Sequence, residues 1–121
     1  MRYTAEEQAQ ALTFYIKVRY RDLECQFHDD PADCDGQLEC AHIIPKQTLR
    51  RNDLREFVWD PRNAILVCNK AHRRNDLMGK KFPREIFPEG FDAFIEETGM
   101  GWKLERLGYG RADGPTRGVA A

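Results

Sequence analysis

Between residues 5 and 22, Ala9, Leu12, Tyr15, Ile16 and Arg19 recur at helical spacing in a run rich in helix formers. Thr4 followed by Glu7 is a capping-box start, so one long helix over 4–22 is expected. Residues 25–37 (CQFHDDPADCDGQ) hold Pro, Gly, two cysteines and four Asp, which is the chemistry of a loop or knuckle. From Leu38 the pattern changes to the short period of a strand, β-branched near Ile44 and stopped by Pro45. A second short apolar run, Ala64 to Val67, is entered through Asp60-Pro61. Between the two strands, Leu49, Leu54 and Phe57 are spaced for one modest helix over Lys46 to Phe57. After Cys68 the residues NKAHRRNDLMGKK read as a helix ending near Gly79. Beyond it, Pro83 to Met100 offers a short helix with Phe91, Phe94 and Ile95 on one side and Gly99 as its stop, and Trp102, Leu104 and Leu107 fold back on the core.

The expected order is therefore helix, knuckle, strand, connection, strand, helix, then further helical packing over 83–107. That is one small α+β domain over 1–107. The last residues, 108–121, carry four Gly and one Pro with little to bury, and are expected to be a flexible tail.

Composition narrows the class. With 121 residues there is room for one domain. With 41% hydrophobic and 32% charged residues the chain is globular, neither fibrous nor disordered. No segment approaches the roughly 18 apolar residues of a membrane span, and MRYTAEEQAQ lacks the layout of a signal peptide. No membrane association and a cytoplasmic setting, in a bacterial host cell, are expected.

A net charge of −1 at first argues against a polyanionic partner. By segment the picture reverses. Residues 1–41 balance to −5, residues 42–81 to +6 and residues 82–121 to −2. The basic middle carries Lys46, Arg50, Arg51, Arg55, Arg62, Lys70, Arg73, Arg74, Lys80 and Lys81.

Three polar residues stand out on that basic stretch: His42 in CAHIIPK, Asn63 in DPRNAILVC and His72 in CNKAHRRND. His42 ends a strand, Asn63 opens the next, and His72 lies on the following helix. In residue type, spacing and element the set resembles the HNH endonucleases of the ββα-metal type, over about residues 25–80. The Ala-His-Ile at the first position resembles one HNH subgroup. The resemblance implies a ββα-metal core and a metal-dependent DNA endonuclease, a phosphodiester hydrolase that nicks or cuts both strands.

The chemistry of the residues agrees with that resemblance. His42, at the end of a strand and next to a Pro that breaks it, suits a neutral imidazole acting as general base near pH 7. In the family the Asn holds the connecting loop and the orientation of the base, and Asn63 is the matching residue. His72 and Asp76, spaced i, i+4, put an imidazole and a carboxylate on one helix face. One divalent ion is expected there, Mg²⁺ or Mn²⁺, with Zn²⁺ or Ni²⁺ tolerated. Many HNH enzymes place an Asp or His directly before the first motif His as a further ligand; here that residue is Ala41.

Without an export signal, Cys25, Cys34, Cys40 and Cys68 favour metal binding or buried thiols over disulfides. Family members often carry two Cys-x-x-Cys knuckles around a structural zinc. Cys25 and Cys34 resemble the first and Cys68 the start of the second, where Ala71 replaces the last Cys. Cys40 or His28 then stands as the fourth ligand.

Arg50, Arg51, Arg73 and Arg74 are candidates for phosphate contacts, which position DNA without reading its sequence. Trp59 and Trp102 read as core aromatics. Two rival readings remain: a zinc-stapled DNA-binding module that no longer cuts, supported by Ala41 and Ala71, and an accessory subunit of a larger DNA-processing machine. A phage terminase or other phage DNA-packaging proteins would suit as its partners, by family analogy. One small domain leaves little surface for reading bases, so weak sequence specificity is expected.

Overall fold

Thr4 opens the first helix, α1 (Ala5–Asp22), by accepting a hydrogen bond from the Glu7 N–H at 3.1 Å, the capping interaction that the sequence predicts. A computed structural model describes residues 3–27, 34, 36–78 and 81–109, apart from the side chains of 74–78. His28, Gly79 and residues 110–121 of the expected tail therefore lie outside the described residues, as do the side chains of Arg74 and Asp76.

Strands β1 (Leu38–His42) and β2 (Ala64–Cys68) pair antiparallel, in a register running from Leu38 opposite Cys68 to His42 opposite Ala64. Helix α3 (Asn69–Met78) leaves β2 without a break and packs against both strands. This two-stranded sheet and its helix form a small α+β, ββα core.

The sheet separates two apolar clusters. On one side Phe14 and Val18 of α1 pack with Cys40, Ala64 and Leu66. On the other side lies the larger core, in which Ile43, Ile44, Leu49, Val58, Ile65 and Val67 meet the aromatic group Phe82, Phe87, Phe91 and Phe94. Phe91 and Phe94 belong to α4 (Phe91–Thr98), which ends at Gly99 with φ +68, as a left-handed stop should. Leu104, on the short α5 (Gly101–Arg106), closes that core, and packing continues to Tyr109, whose ring meets Phe87 edge-on at 5.2 Å.

A buried charge fixes α1 to the sheet. Asp22 is 6% exposed, yet its carboxylate accepts from the Leu66 N–H at 2.9 Å and from Arg21 Nε at 2.7 Å. Arg21 in turn donates to the carbonyls of Pro61 and Ala64. Pairing and full hydrogen bonding are what make a buried carboxylate tolerable.

Three elements differ from the sequence reading. β1 stops at His42, because Ile43 and Ile44 leave the ladder to bond Asn63. The single helix expected over Lys46–Phe57 is α2 (Lys46–Arg51) followed by a 3₁₀ turn at Arg55–Phe57. Asp53 breaks it with φ +63, while the Asn52 side chain caps the Thr48 carbonyl at 2.8 Å, the local bonding by which Asn and Asp compete with helix. Trp102 is not a core aromatic: it is 42% exposed, with Arg106 stacked 5.1 Å over its ring.

Candidate active site

His42 closes β1 with its ring stacked on Phe14 at 5.0 Å and edge-on to Trp59 at 5.8 Å. Its Nε2 lies 2.9 Å from the Val58 carbonyl oxygen. A carbonyl can only accept, so this nitrogen carries the hydrogen and Nδ1 keeps its lone pair. Burial pushes the imidazole down to about 4; the Val58 bond opposes that, and the positive charge of Lys46 adds to it. The ring is neutral at pH 7.

His72 faces the same space from α3. An open cavity of about 550 Å³ is lined by Glu39, His42, Lys46 and His72, with Tyr15 at its edge. His72 Nδ1 lies 2.8 Å from Glu39 Oε1, and the Asn69 side-chain amide donates to Glu39 Oε2 at 2.8 Å. The Asn69 bond and then the His72 bond hold the Glu39 carboxyl below the usual carboxylate range. An ionised carboxylate only accepts, so His72 Nδ1 carries the hydrogen in this bond, which orients the ring. Glu39 was not among the residues singled out from the sequence. Its signal was an acidic side chain inside a short strand, three residues before His42.

Asn63 is fully buried and does not reach the cavity. Its Oδ1 accepts from the Ile44 N–H at 2.8 Å, its Nδ2 donates to the Ile44 carbonyl at 2.9 Å, and its own carbonyl accepts from Ile43 N–H at 2.9 Å. Three bonds thus fix the two residues that follow His42. Asp76 lies one helical turn beyond His72 in sequence, with its side chain outside the described residues.

Arg50 is committed within the fold: it pairs with Glu7 at 2.6 Å and sits 5.4 Å over the Tyr3 ring. Arg51 and Arg73 are exposed. Lys46, absent from the sequence-based set, lines the cavity and stands 5.2 Å over Trp59.

The sulfurs of Cys25, Cys34 and Cys68 all lie within 4.8 Å of one another. Backbone N–H groups already point at two of them, from Cys68 to Cys25 Sγ at 3.2 Å and from Ala71 to Cys68 Sγ at 3.4 Å. Three converging thiols with N–H donors behind them fit a soft metal such as zinc, whose thiolates gain from such bonds. Cys40 is not in this group. It pairs across the sheet with Leu66 and is buried beside Phe14 and Val18, on the α1 side. Strand alternation carries its side chain away from the other three, so it is not the fourth ligand.

Residues 23–76 match the family model of the HNH endonucleases, HNH_2. The match takes in less than half of the chain and spans the cysteine loop, both strands and α3 as far as Asp76, and so includes His42, Asn63 and His72. No curated protein and no solved structure matches the chain. Among the described residues no helix is long and apolar enough to cross a membrane.

Proposed function

We propose that the chain is a metal-dependent DNA endonuclease in which His42 is the general base. The observation that carries this reading is the pair His42 and His72, which line one cavity, His42 oriented by the Val58 carbonyl and His72 by the Glu39 carboxylate. His42 Nδ1 removes a proton from the attacking water. Asn63 keeps the His42 ring aimed by pinning Ile43 and Ile44 behind it. His72 and Asp76 would hold one divalent cation, with Glu39 orienting the His72 ring through Nδ1. A cation bound there supplies charge neutralisation at the phosphate and at the departing 3′ oxygen. Lys46 borders the phosphate position, and Arg51, Arg73 and Arg74 meet the flanking backbone. Cys25, Cys34 and Cys68 hold a structural zinc, with His28 as its fourth ligand.

Ala41 favours a weaker enzyme. It is 1% exposed and packed in the core, so it offers no ligand where many HNH enzymes have one. This supports the second reading, a DNA-binding module or accessory subunit with little cleavage of its own. Supercoiled plasmid incubated with Mg²⁺, Mn²⁺, Ni²⁺ or Zn²⁺ separates the two. The enzyme produces nicked or linear DNA in at least one metal and none with chelator, whereas binding without cleavage in every metal establishes the module.

A further inference from the structure

Helix α1 carries two apolar stripes, and the fold uses one. Phe14, Val18 and Asp22 face the sheet. On the far side Ala5, Ala9, Leu12, Ile16, Arg19 and Leu23 are all exposed, and they follow one another at intervals of four, three, four, three and four residues. That is the seam of a coiled coil. Its large members are open to an unusual degree: Leu12 is 62% exposed, Ile16 48% and Leu23 73%, with Tyr20 at 78% beside them. Five of the six large hydrophobics exposed among the described residues belong to this helix and its cap. Leu23 adds a second oddity. It caps α1 with φ +67, a conformation for which glycine is the usual residue, so a large apolar side chain stands where backbone strain disfavours it.

We infer that this face pairs with the same face of a second copy of the chain, the two α1 helices running antiparallel about a two-fold axis that passes the seam between Leu12 and Ile16, level with Phe14 on the far side of the helix. The seam is complementary to itself in that arrangement only. Ala5 and Ala9 occupy its first half and Arg19 and Leu23 its second, so antiparallel pairing sets large against small at the ends, Leu23 on Ala5 and Arg19 on Ala9, and Leu12 against Ile16 at the centre. Parallel pairing would stack Ala on Ala and Arg19 on Arg19, leaving a gap at one end and a repulsion at the other. Charge agrees with size. Glu6 lies exposed in the first turn of α1 and Arg19 exposed in the last, while Glu7 and Arg21 are bonded within the fold, so antiparallel pairing brings the acidic Glu6 end of one helix to the Arg19 end of the other. Glu6 stands one turn from Ala9 and within reach of the second copy's Arg19. A patch whose halves complement each other is the requirement of an isologous two-fold interface.

Sedimentation velocity on the full chain, from about 1 to about 100 µM, tests this. The mass should rise from 14.1 kDa towards twice that value. Leu12→Glu with Ile16→Glu should hold the chain at monomer mass, with circular dichroism showing it folded. Glu6→Arg and Arg19→Glu should each weaken association about tenfold, and the two together should restore it. A monomer across the whole range overturns the proposal, as does association unchanged by the Leu12 and Ile16 substitutions in a folded chain. Should the doubly charged variant fail to fold, the Glu6 and Arg19 exchange decides alone: no weakening by either single change rejects the antiparallel pair.

Discussion

His72 Nδ1 and Glu39 Oε1 lie 2.8 Å apart, joining the helix of the core to its first strand at the edge of the cavity. The bond orients the ring and places its hydrogen on Nδ1. Replacing Glu39 by Gln keeps the shape while allowing the amide to flip and either tautomer of His72 to form. Glu39→Gln is expected to lower cleavage about 10–100-fold and to weaken the binding of the catalytic cation similarly, with little change in thermal stability. Titration of the cation by calorimetry, beside a cleavage assay at saturating metal, checks both.

The depressed pKa of His42 has a sign that can be tested. Its folded value, about 4, lies below the unfolded value of 6.5. Above pH 6.5 neither state binds the proton and the contribution to stability is complete. As pH falls from 6.5 to 4 the unfolded chain takes up a proton that the folded chain refuses, and on the order of 3 kcal/mol is lost. Urea unfolding at pH 7 and pH 4.5 should show this extra loss in the wild type and not in His42→Gln. If both chains lose stability equally, the ring is not held neutral by burial.

Asn63→Ala should be among the most damaging single changes. It removes two buried hydrogen bonds to Ile44 and leaves both the N–H and the carbonyl of that residue unsatisfied. A loss of about 2–5 kcal/mol is expected. Where the chain still folds, at low temperature, cleavage should fall because the turn after His42 is free to move. Thermal melts followed by activity at 10 °C below the variant's midpoint, about the margin needed for a folded sample, separate the two effects.

Metal analysis should find about one zinc per purified chain. Cys25→Ser, Cys34→Ser and Cys68→Ser should each lose it, and Cys40→Ser should keep it, since Cys40 lies on the α1 side of the sheet. Retention of zinc in Cys68→Ser, or its loss in Cys40→Ser, would contradict the assignment.

The sequence makes legible what depends on local rules. Thr4 and Glu7 define the start of α1, Gly99 the end of α4, and the order strand, strand, helix follows from period and turn residues. The inward face of α1 was not legible. Periodicity marks Ala9, Leu12 and Ile16 as a stripe, yet the buried side is set by Phe14, Val18 and a carboxylate, Asp22, whose backbone partner Leu66 lies more than forty residues away. His42 and His72 were legible as a pair because their spacing to Asn63 is distinctive. Glu39 was not, since strand alternation puts it and His42 on opposite faces, and only the crossing of α3 brings them to one cavity. Cys25, Cys34 and Cys68 meet as the sequence suggests, whereas the choice of a fourth ligand is not legible in it: only the cross-strand register with Leu66 puts Cys40 on the other face of the sheet.

Cleavage of supercoiled plasmid under single-turnover conditions, wild type beside His42→Ala, with DNA affinity measured on the same samples, bears most directly on the central claim. Removing the general base should lower the cleavage rate by about 10²–10⁴ while DNA affinity and folding stay near wild type. A His42→Ala chain that is folded, binds DNA and cuts at the wild-type rate would contradict the assignment of His42.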